Sequence, residues 1–412
     1  MKKHTHIYNW NPKRNFKLNL KKNKHLELND ETLRDGLQCT YIKFPSFEQK
    51  IKLLELMEDV GIESANIGFP ISGTGQMDEI ISIIKHIQKK QMKIRLSCGG
   101  RTLTSDVEAI IKVSEMTNYP IDVGLFIGSS KLRFLVEKWD LEKMSKYISE
   151  SIKLAVQHGL KVMFVTEDTT RAHPKTIDFL YKTAINSGAE RVCISDTVGH
   201  ANPLSVLNLI SFMKTEVLSD YPDVKVDWHG HNDKGLAVAN SLMAAFAGAD
   251  RIQATALGVG ERSGNASMEQ LIVNLQAEGF INKRLDKLVE YSNHATTIFN
   301  NKVPHNSPII GRDVFKTATG VHAAALKKAQ DMNDDYLQGI IYSSLDPVAF
   351  GKEHQILVGP MSGKSNVEYW FQQHPSYTAS SKLINEILLL AKQRRKILSD
   401  AEIIGLIEQV KA

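Results

Sequence analysis

Between residues 26 and 280 the chain alternates short runs of apolar and β-branched residues with longer segments in which apolar residues recur at helical spacing. The short runs predict eight strands, at 26–30, 63–68, 93–98, 121–127, 161–166, 191–195, 224–229 and 251–256. The longer segments predict helices at 46–60, 105–117, 140–158, 174–187, 203–218 and 235–248. Eight strand–helix units in about 250 residues predict an α/β fold, a (β/α)8 TIM barrel.

An open, doubly wound sheet would show the same alternation. Polar and charged residues follow many of the predicted strands, which favours the barrel, because barrel active sites collect at the carboxyl ends of the strands. Residues 281–412 are mostly helical in pattern, with turn signals at 303–308 and 359–363. We therefore predict a catalytic barrel over 26–280 and a helical C-terminal appendage of one or two subdomains over 281–412.

The composition is that of an ordinary soluble enzyme, with 42% apolar and 24% charged residues among 412. No apolar stretch approaches the length that spans a membrane, so a membrane partner is not expected. The net charge of +5 is concentrated at the amino terminus. The first 26 residues hold eight Lys or Arg and no acidic residue, and the remainder carries 43 basic against 46 acidic residues. We expect residues 1–25 to form a basic flexible tail rather than a nucleic-acid-binding element.

The cysteines indicate the compartment. Cys39, Cys98 and Cys193 are few, odd in number and far apart. They exclude a disulfide framework and a Cys-x-x-Cys metal site, which fits a reducing cytoplasm. The amino-terminal segment also lacks the apolar core of a secretion signal.

Two distant segments carry side chains that suit one metal ion. His229 and His231 stand two residues apart at the end of a predicted strand, where side chains i and i+2 point to the same side. Asp35 follows the first predicted strand, in the segment TLRDGLQ at 32–38. Two imidazoles and one carboxylate suit a catalytic divalent metal rather than a closed structural site. A His-x-His pair alone would more often be a surface or core pair, and the second segment is what favours the metal.

Other strand ends add reactive groups. Arg34 follows the first strand, Glu167 ends the fifth, Thr197 follows the sixth, and the glycine-rich segment 258–265 follows the eighth. A 2-oxoacid would chelate the metal through its carboxylate and keto oxygens, and the metal would polarise the keto carbon. Arg34 would then stabilise oxyanion charge.

The motifs that hold these residues resemble the DRE-TIM metallolyase superfamily, and within it the acyl-CoA-condensing branch of 2-isopropylmalate and homocitrate synthases. They are DETLRDGLQ at 30–38, GFP at 68–70, TEDTTR at 166–171, SDTVGHANP at 195–203, HGHNDKGLAVAN at 229–240 and GVGERSGNAS at 258–267. The resemblance covers the region from residue 26 to residue 370. It implies a divalent metal ion (Mg²⁺, Mn²⁺ or Zn²⁺) and acetyl-CoA as co-substrate.

Carried over by position, the resemblance implies that Asp35, His229 and His231 bind the metal. Asn265 would add a ligand or lie close to the ion. Arg34 would stabilise the enolate and the alkoxide of a condensation.

The resemblance also implies roles for residues around the metal. Glu167 would take part in acid–base chemistry, Thr197 would hold the 2-oxoacid carboxylate, and Gln38 would lie beside the acyl and oxoacid groups. Arg133 is a candidate for binding a distal carboxylate of the substrate.

The appendage carries part of the resemblance as well. The segment TGVH at 319–322 resembles a family motif that makes His322 the candidate base for the acetyl methyl proton. Tyr342 aligns with a subdomain tyrosine of the family. In that family these residues reach the active site of the neighbouring subunit, so the resemblance implies an intertwined homodimer.

Simpler interpretations exist for five of these residues. Glu167 could be paired with Arg171, Asn265 could stabilise a turn, Thr197 could cap a helix, His322 could be a helix-start residue, and Tyr342 could serve packing.

The substrate signals conflict. Asn66 stands where many relatives of this kind carry glutamate, and Met163 and Val165 replace the Arg and Ser of homocitrate synthases, which favours an apolar substrate side chain. Arg133 lies in a segment more like the homocitrate branch. Feedback-inhibited isopropylmalate synthases continue into a regulatory domain well beyond Lys364, so we expect no leucine inhibition through such a domain here.

We predict a metal-dependent Claisen condensation of acetyl-CoA with a 2-oxoacid, giving a 2-alkylmalate and CoA, of the 2-isopropylmalate synthase kind. The alternatives are a homocitrate-synthase-like enzyme that uses 2-oxoglutarate, a retro-Claisen acyl-CoA lyase, and a non-catalytic binding protein on a barrel fold. The lyases carry a cysteine in the loop after the eighth strand, and 258–267 has none.

Overall fold

A computed structural model describes residues 25–73 and 75–411, so the predicted basic tail lies almost entirely outside the described residues. These residues divide into two compact units. The first extends to Lys283 and includes Thr297–Asn301, and the second comprises Arg284–Thr296 and the chain from Lys302 onward.

Eight parallel strands close into a barrel in the first unit. They are β1 Glu27–Asp30, β2 Ser64–Asn66, β3 Arg95–Arg101, β4 Asp122–Gly128, β5 Val162–Glu167, β6 Arg191–Asp196, β7 Lys225–Gly230 and β8 Arg251–Ala254. Each strand pairs with the next, and β8 returns to β1 with Glu27 opposite Arg251. This closure confirms the predicted (β/α)8 barrel and excludes the open sheet.

One or two helices lie between consecutive strands of the barrel, and another follows the last strand. These helices are α1 Phe47–Val60, α2 Gln76–Lys90, α3 Thr104–Thr117, α4 Lys131–Glu137, α5 Leu141–Gln157, α6 Pro174–Asn186, α7 Pro203–Phe212, α8 Ala237–Ala247 and, after the last strand, α9 Met268–Ala277. Local sequence explains their starts: Ser46 and Gln49 form a reciprocal capping box before α1. The structure adds α2, α4 and α9 to the predicted helices, and it continues α7 as a π-helical turn over Met213–Val217.

The barrel interior is polar around β7 and β8. Val226 and Trp228 of β7 are buried apolar residues, whereas Asp227 and His229 alternate with them. Asp227 is paired with Arg251 of β8 at 2.7 Å. Most TIM barrels fill this space with branched apolar side chains, whereas the interior here contains a buried ion pair.

The second unit contains helices and one very small sheet. Its elements are α10 Leu285–Phe299, whose last turn belongs to the first unit, β9 Lys316–Thr317, α11 Gly320–Asp331, α12 Asp335–Ile340, β10 Gln355–Ile356, α13 Lys364–Gln373, α14 Ser381–Arg394 and α15 Asp400–Lys411. An apolar cluster that includes Val367, Trp370 and Ile387 packs the last three helices together. Within the described ranges, no helix has the length and apolar content needed to cross a membrane.

Candidate metal centre and active site

A cavity of about 340 Å³ opens at the carboxyl ends of the barrel strands. Seven residues that the sequence analysis singled out line it: Arg34, Asp35, Gln38, Glu167, Thr197, His229 and His231. Asn265 is buried and donates a hydrogen bond to Asp35, so it lies directly behind the residues that line the cavity. Arg133 does not line the cavity, but it reaches Glu167, which does.

Three side-chain atoms that could bind a metal lie close together in this cavity. The Nε2 atoms of His229 and His231 are 3.2 Å apart. Each lies 3.5 Å from Oδ2 of Asp35, and all three residues are buried. Atoms that are each about 2.1 Å from one divalent ion lie about 3–3.5 Å from one another, so these three match a shared ion.

The surroundings of the cluster also fit a cation. Burial lowers the pKa of His229, although Asp35 acts to raise it, so the imidazole keeps the neutral form that binds metals. Burial would raise the pKa of Asp35, but Arg34 and the two imidazoles hold it well below its usual range. The buried Oδ1 of Asn265 has no hydrogen-bond partner, so this oxygen could serve as a further metal ligand in addition to the three ligand atoms.

Arg34 supplies a fixed positive charge next to the cluster. Its Nε donates to Glu31 at 2.6 Å, and one terminal nitrogen donates to Asp35 at 3.0 Å. Burial alone would lower the pKa of Arg34, but the carboxylates of Glu31 and Asp35 outweigh burial and raise it. Glu31 in turn accepts a hydrogen bond from Asn29 at 2.7 Å. The guanidinium is therefore held in one orientation at the cavity wall.

The loop after β8 folds tightly over Asp35. Asn265 donates from Nδ2 to Asp35 Oδ1 at 2.8 Å and to the Val259 carbonyl at 3.1 Å. Gly260 has φ +153°, and a Cβ there would lie 2.1 Å from Asn265 Nδ2 and 2.6 Å from Asp35 Oδ1. Only glycine fits this close approach. Asn265 therefore both stabilises this loop and contacts Asp35, whereas its role toward a metal stays a prediction.

Glu167 stands at the end of β5 and contacts a different arginine from the one suggested by sequence. Arg171 pairs with Asp168 at 2.7 Å, whereas Glu167 lies 3.7 Å from Arg133. Burial raises the pKa of Glu167, and Arg133 only partly offsets that effect. Arg133 reaches this position because its stem packs over Gly128, where a Cβ would lie 2.8 Å from it.

Thr197 lines the cavity, and its side-chain hydroxyl group is oriented by a hydrogen bond within the protein. Its Oγ1 accepts a hydrogen bond from the backbone N–H of Asp168 at 2.8 Å. The hydroxyl hydrogen is then available to donate to a carboxylate. Gln38 ends a short 3-10 turn after Asp35 and is exposed at the cavity mouth.

Among the cavity residues to which the sequence analysis gave no role are Glu31 and Arg262. Glu31 continues the period-two series of β1 beyond its last residue, and this spacing would have placed it inside the barrel. Arg262 lines the cavity and pairs with Asp233 at 2.8 Å. It also donates to the Thr197 carbonyl, so it ties together the loops after β6, β7 and β8. That bridge has no signal in the linear sequence.

His322 and Tyr342 belong to the second unit. His322 is an exposed residue in the first turn of α11, and its ring stacks on that of Tyr342 with centroids 3.9 Å apart. Tyr342 is itself 45% exposed, so the stacked pair forms part of the surface of this unit.

Comparison with known proteins identifies similar sequences over most of the chain. The family model described as HMGL-like matches residues 25–294. The probable 2-isopropylmalate synthase of Methanopyrus kandleri is 31% identical over 82% of this chain and 64% of its own length. Homocitrate synthase AksA of the same organism is 31% identical over 82% of this chain and 80% of its own. The 2-isopropylmalate synthase of Sulfolobus acidocaldarius is 29% identical over 95% of this chain and 97% of its own.

Solved structures share the barrel. An HMG-CoA lyase from Brucella melitensis superposes with a TM-score of 0.56 at 18% sequence identity, covering 67% of this chain and 99% of that one. At this identity the likeness shows the fold alone. The chain spans less than two thirds of the length of the Methanopyrus kandleri 2-isopropylmalate synthase.

Proposed function

The chain belongs to the HMGL-like family, and we propose that it catalyses a metal-dependent condensation of acetyl-CoA with a short, apolar 2-oxoacid. The product is a 2-alkylmalate, with free CoA released. The observation that carries the proposal is the convergence of Asp35, His229 and His231 at the barrel mouth, with Arg34 bonded to the same carboxylate.

Asp35, His229 and His231 would hold a divalent cation, which would supply Lewis acidity toward the keto group of the 2-oxoacid. The protein supplies the remaining electrostatics. Arg34 places a permanent positive charge where the keto oxygen gains negative charge, and its two ion pairs fix it there before the reaction. Thr197 donates its hydroxyl hydrogen to the oxoacid carboxylate, because an ionised carboxylate only accepts hydrogen bonds and Asp168 N–H already orients the hydroxyl oxygen.

The bond changes are those of a Claisen condensation followed by hydrolysis. A base removes a proton from the acetyl methyl group, and the resulting enolate carbon attacks the keto carbon of the oxoacid. The keto oxygen becomes an alkoxide, takes up a proton and remains as the product hydroxyl. Water then cleaves the thioester and CoA leaves as the thiol.

Two residues are assigned to the proton transfers. Glu167 lines the cavity with a raised pKa, which suits a carboxyl group that exchanges protons near neutral pH. His322 is proposed as the base for the methyl proton, an assignment that rests on the family motif alone.

The side of the cavity opposite the metal ligands supports an apolar substrate. Phe126, Met163 and Val165 line it on β4 and β5, and Phe69 packs edge-on against Phe126. An unpaired carboxylate would be costly against these groups. Among the residues that line the cavity, the arginines are Arg34 and Arg262, and neither lies on these strands. A branched or linear aliphatic side chain is the best fit, and 2-oxoisovalerate is the representative substrate.

The test is thiol release from acetyl-CoA by the purified, Mg²⁺- or Mn²⁺-loaded protein with four 2-oxoacids: 2-oxoisovalerate, 2-oxoglutarate, pyruvate and an aromatic 2-oxoacid. Selective turnover of 2-oxoisovalerate is the expected result. Preference for 2-oxoglutarate would support the homocitrate-like alternative and contradict the assignment of the apolar wall. Release with none of the four, together with cleavage of a hydroxyacyl-CoA, would replace condensation with a retro-Claisen reaction.

A further inference from the structure

A second cavity of about 580 Å³ lies at the opposite, amino-terminal end of the same barrel. Its lining contains five cationic and three acidic residues, so its cations outnumber its acids. The cations are Arg95, Lys161, Arg191, Lys225 and Arg251. We call this cavity the lower chamber. Nothing in the condensation derived above uses it.

The substrate cavity and the lower chamber share a wall made of two residues. Gly124 of β4 and Met163 of β5 line both spaces. A Cβ on Gly124 would lie 3.4 Å from the Met163 methyl carbon, so the thioether side chain packs over the glycine. The side chain of Met163 is therefore the main barrier between the two spaces.

Arg251 lies directly below that barrier and is 4% exposed. Its Nε donates to Asp227 at 2.7 Å and one terminal nitrogen donates to Ser64 at 3.2 Å. The other terminal nitrogen donates to the sulfur of Met163 at 3.3 Å. A thioether is a weak acceptor, so this guanidinium nitrogen is poorly satisfied for a buried charge.

Gln253 marks the same boundary from the upper side. It lines the substrate cavity, and its amide nitrogen lies 3.6 Å from the Met163 sulfur and 3.0 Å from Asp227. Two polar donors on β8 thus contact the Met163 sulfur, and of the two only Arg251 is absent from the lining of the substrate cavity.

We propose that Met163 is a specificity-determining residue that closes the substrate cavity against the lower chamber, and that Arg251 would bind the distal carboxylate of a longer 2-oxodicarboxylate if Met163 were shortened. This inference rests on the proposed function for the identity of the ligand class. It explains why one wall of the cavity is apolar although a buried arginine lies just beneath it. Met163 therefore discriminates among 2-oxoacids both by chain length and by the charge at the end of the side chain.

The experiment measures equilibrium binding by calorimetry to the Mg²⁺-saturated full chain. The probes are 2-oxopimelate and 2-oxoheptanoate, which share a chain length and differ in the terminal carboxylate. Met163→Ala is expected to bind 2-oxopimelate at least ~10-fold more tightly than the wild type does, by analogy with the size discrimination of apolar pockets. The gain for 2-oxoheptanoate should be clearly smaller, because only the dicarboxylate can use Arg251.

Three further variants make the result specific. Met163→Leu keeps the side-chain volume and should show no gain. Val165→Ala enlarges the substrate cavity without opening the shared wall and should not favour the dicarboxylate over the monoacid. Met163→Val is a milder truncation that should give an intermediate gain, and it carries the test if the alanine variant does not fold.

Equal binding of 2-oxopimelate by the wild type and by folded Met163→Ala and Met163→Val would overturn the inference. An equal gain for both probes would overturn the role of Arg251. Because binding is measured without turnover, these outcomes are separate from the proposed function, which fails if the wild type releases no CoA with any short 2-oxoacid.

Discussion

Arg34 and Asp35 are neighbours in sequence and bind each other, yet they serve different parts of the site. Asp35 faces the two imidazoles, whereas Arg34 is held by Glu31 at the cavity wall. Because each charge is satisfied by an opposite one, both can be buried without a large desolvation penalty. At this scale the site is a set of paired charges beside three side chains that could hold a metal ion.

Replacing Asp35 by Asn should weaken metal binding by more than about 100-fold, since changes behind a ligand already cost about 10–100-fold. The neutral amide cannot balance a divalent charge next to Arg34. Titration with Mn²⁺ measures the effect. Asp233→Asn is the matched control, because Asp233 lies in the same histidine motif but pairs with Arg262. Equal Mn²⁺ affinities of Asp35→Asn and the wild type would contradict the assignment of a metal site to these residues.

The raised pKa of Glu167 predicts how activity depends on pH. If the ionised carboxylate is the active form, kcat/KM rises with pH as the group ionises, above the pH expected for an exposed glutamate. Glu167→Gln should remove that rise and lower kcat by about 10²–10⁴-fold. Glu137 pairs with the same Arg133, so Glu137→Gln should retain the rise. An unchanged pH profile in Glu167→Gln would exclude the acid–base role.

Strand spacing and motif identity were sufficient to predict that Asp35, His229 and His231 lie close together, and their side chains form one candidate metal cluster. They were not sufficient to predict the partner of Glu167. Which arginine reaches that carboxylate depends on how α4 lies over Gly128, and Arg171 turns instead to Asp168.

Loops after strands are the elements that build the site, and the loop after β8 is the most constrained of them. Gly264 in this loop has φ +83°, and a Cβ there would lie 1.9 Å from the Gly258 carbonyl oxygen. These close contacts fix the backbone conformation of the loop, and that conformation places Asn265 in contact with Asp35. The position of a metal-site residue is set here by backbone that only glycine can adopt.

Gly260→Ala should lower metal affinity by at least about 10-fold, because the new methyl group would displace Asn265 and Asp35. Gly235→Ala is the matched control: Gly235 also has positive φ, at +72°, but a Cβ there meets nothing within 4 Å. Both variants carry backbone strain of about 1–3 kcal/mol, so only Gly260→Ala should affect the metal titration. The same loss in both variants would show that strain, and not contact with Asp35, is responsible.

The predicted and observed strands overlap at all eight positions, although strands such as β1 (ELND) and β2 (SAN) are largely polar. They were predictable because short segments alternate regularly with longer segments of helical periodicity. Other elements depend on tertiary contacts. Helix α4 has several exposed apolar residues, the π-helical turn after α7 breaks the helical period, and β9 and β10 are two residues each. Local sequence carries little signal for such elements.

Across the whole barrel, the polar interior serves both stability and function. Asp227 on β7 binds Arg191 of β6 at 2.6 Å and Arg251 of β8 at 2.7 Å, so one buried carboxylate joins three strands. Through Ser64 and Asn29, the same network continues from Arg251 to Glu31 and hence to Arg34. The charges that hold the barrel closed are therefore connected to those that surround the metal.

Asp227→Asn should reduce the free energy of unfolding by about 3–5 kcal/mol at pH 7, because it leaves buried arginine charge uncompensated. Burial would raise the pKa of Asp227, but Arg251 and Arg191 lower it below its ordinary value. Its contribution is therefore present above about pH 4, the pKa of an unfolded Asp, and is lost as pH falls through the lower folded value.

Urea unfolding at pH 7 and at lower pH values measures the difference in free energy of unfolding between the wild type and Asp227→Asn. This difference should become smaller as the pH falls. Asp286→Asn breaks an exposed ion pair with Arg284 and should leave the urea midpoint unchanged. A wild-type stability equal to that of Asp227→Asn at pH 7 would contradict the account of the barrel interior.

We propose that the barrel mouth uses a divalent cation to condense acetyl-CoA with a 2-oxoacid. The most direct measurement is CoA release with acetyl-CoA and 2-oxoisovalerate, before and after chelation and again after Mg²⁺ or Mn²⁺ is restored. The account predicts release that needs both substrates, stops on chelation, returns with the metal and is absent in Asp35→Asn. Release that survives complete chelation, or no release from fully metal-loaded protein with any 2-oxoacid, would contradict it.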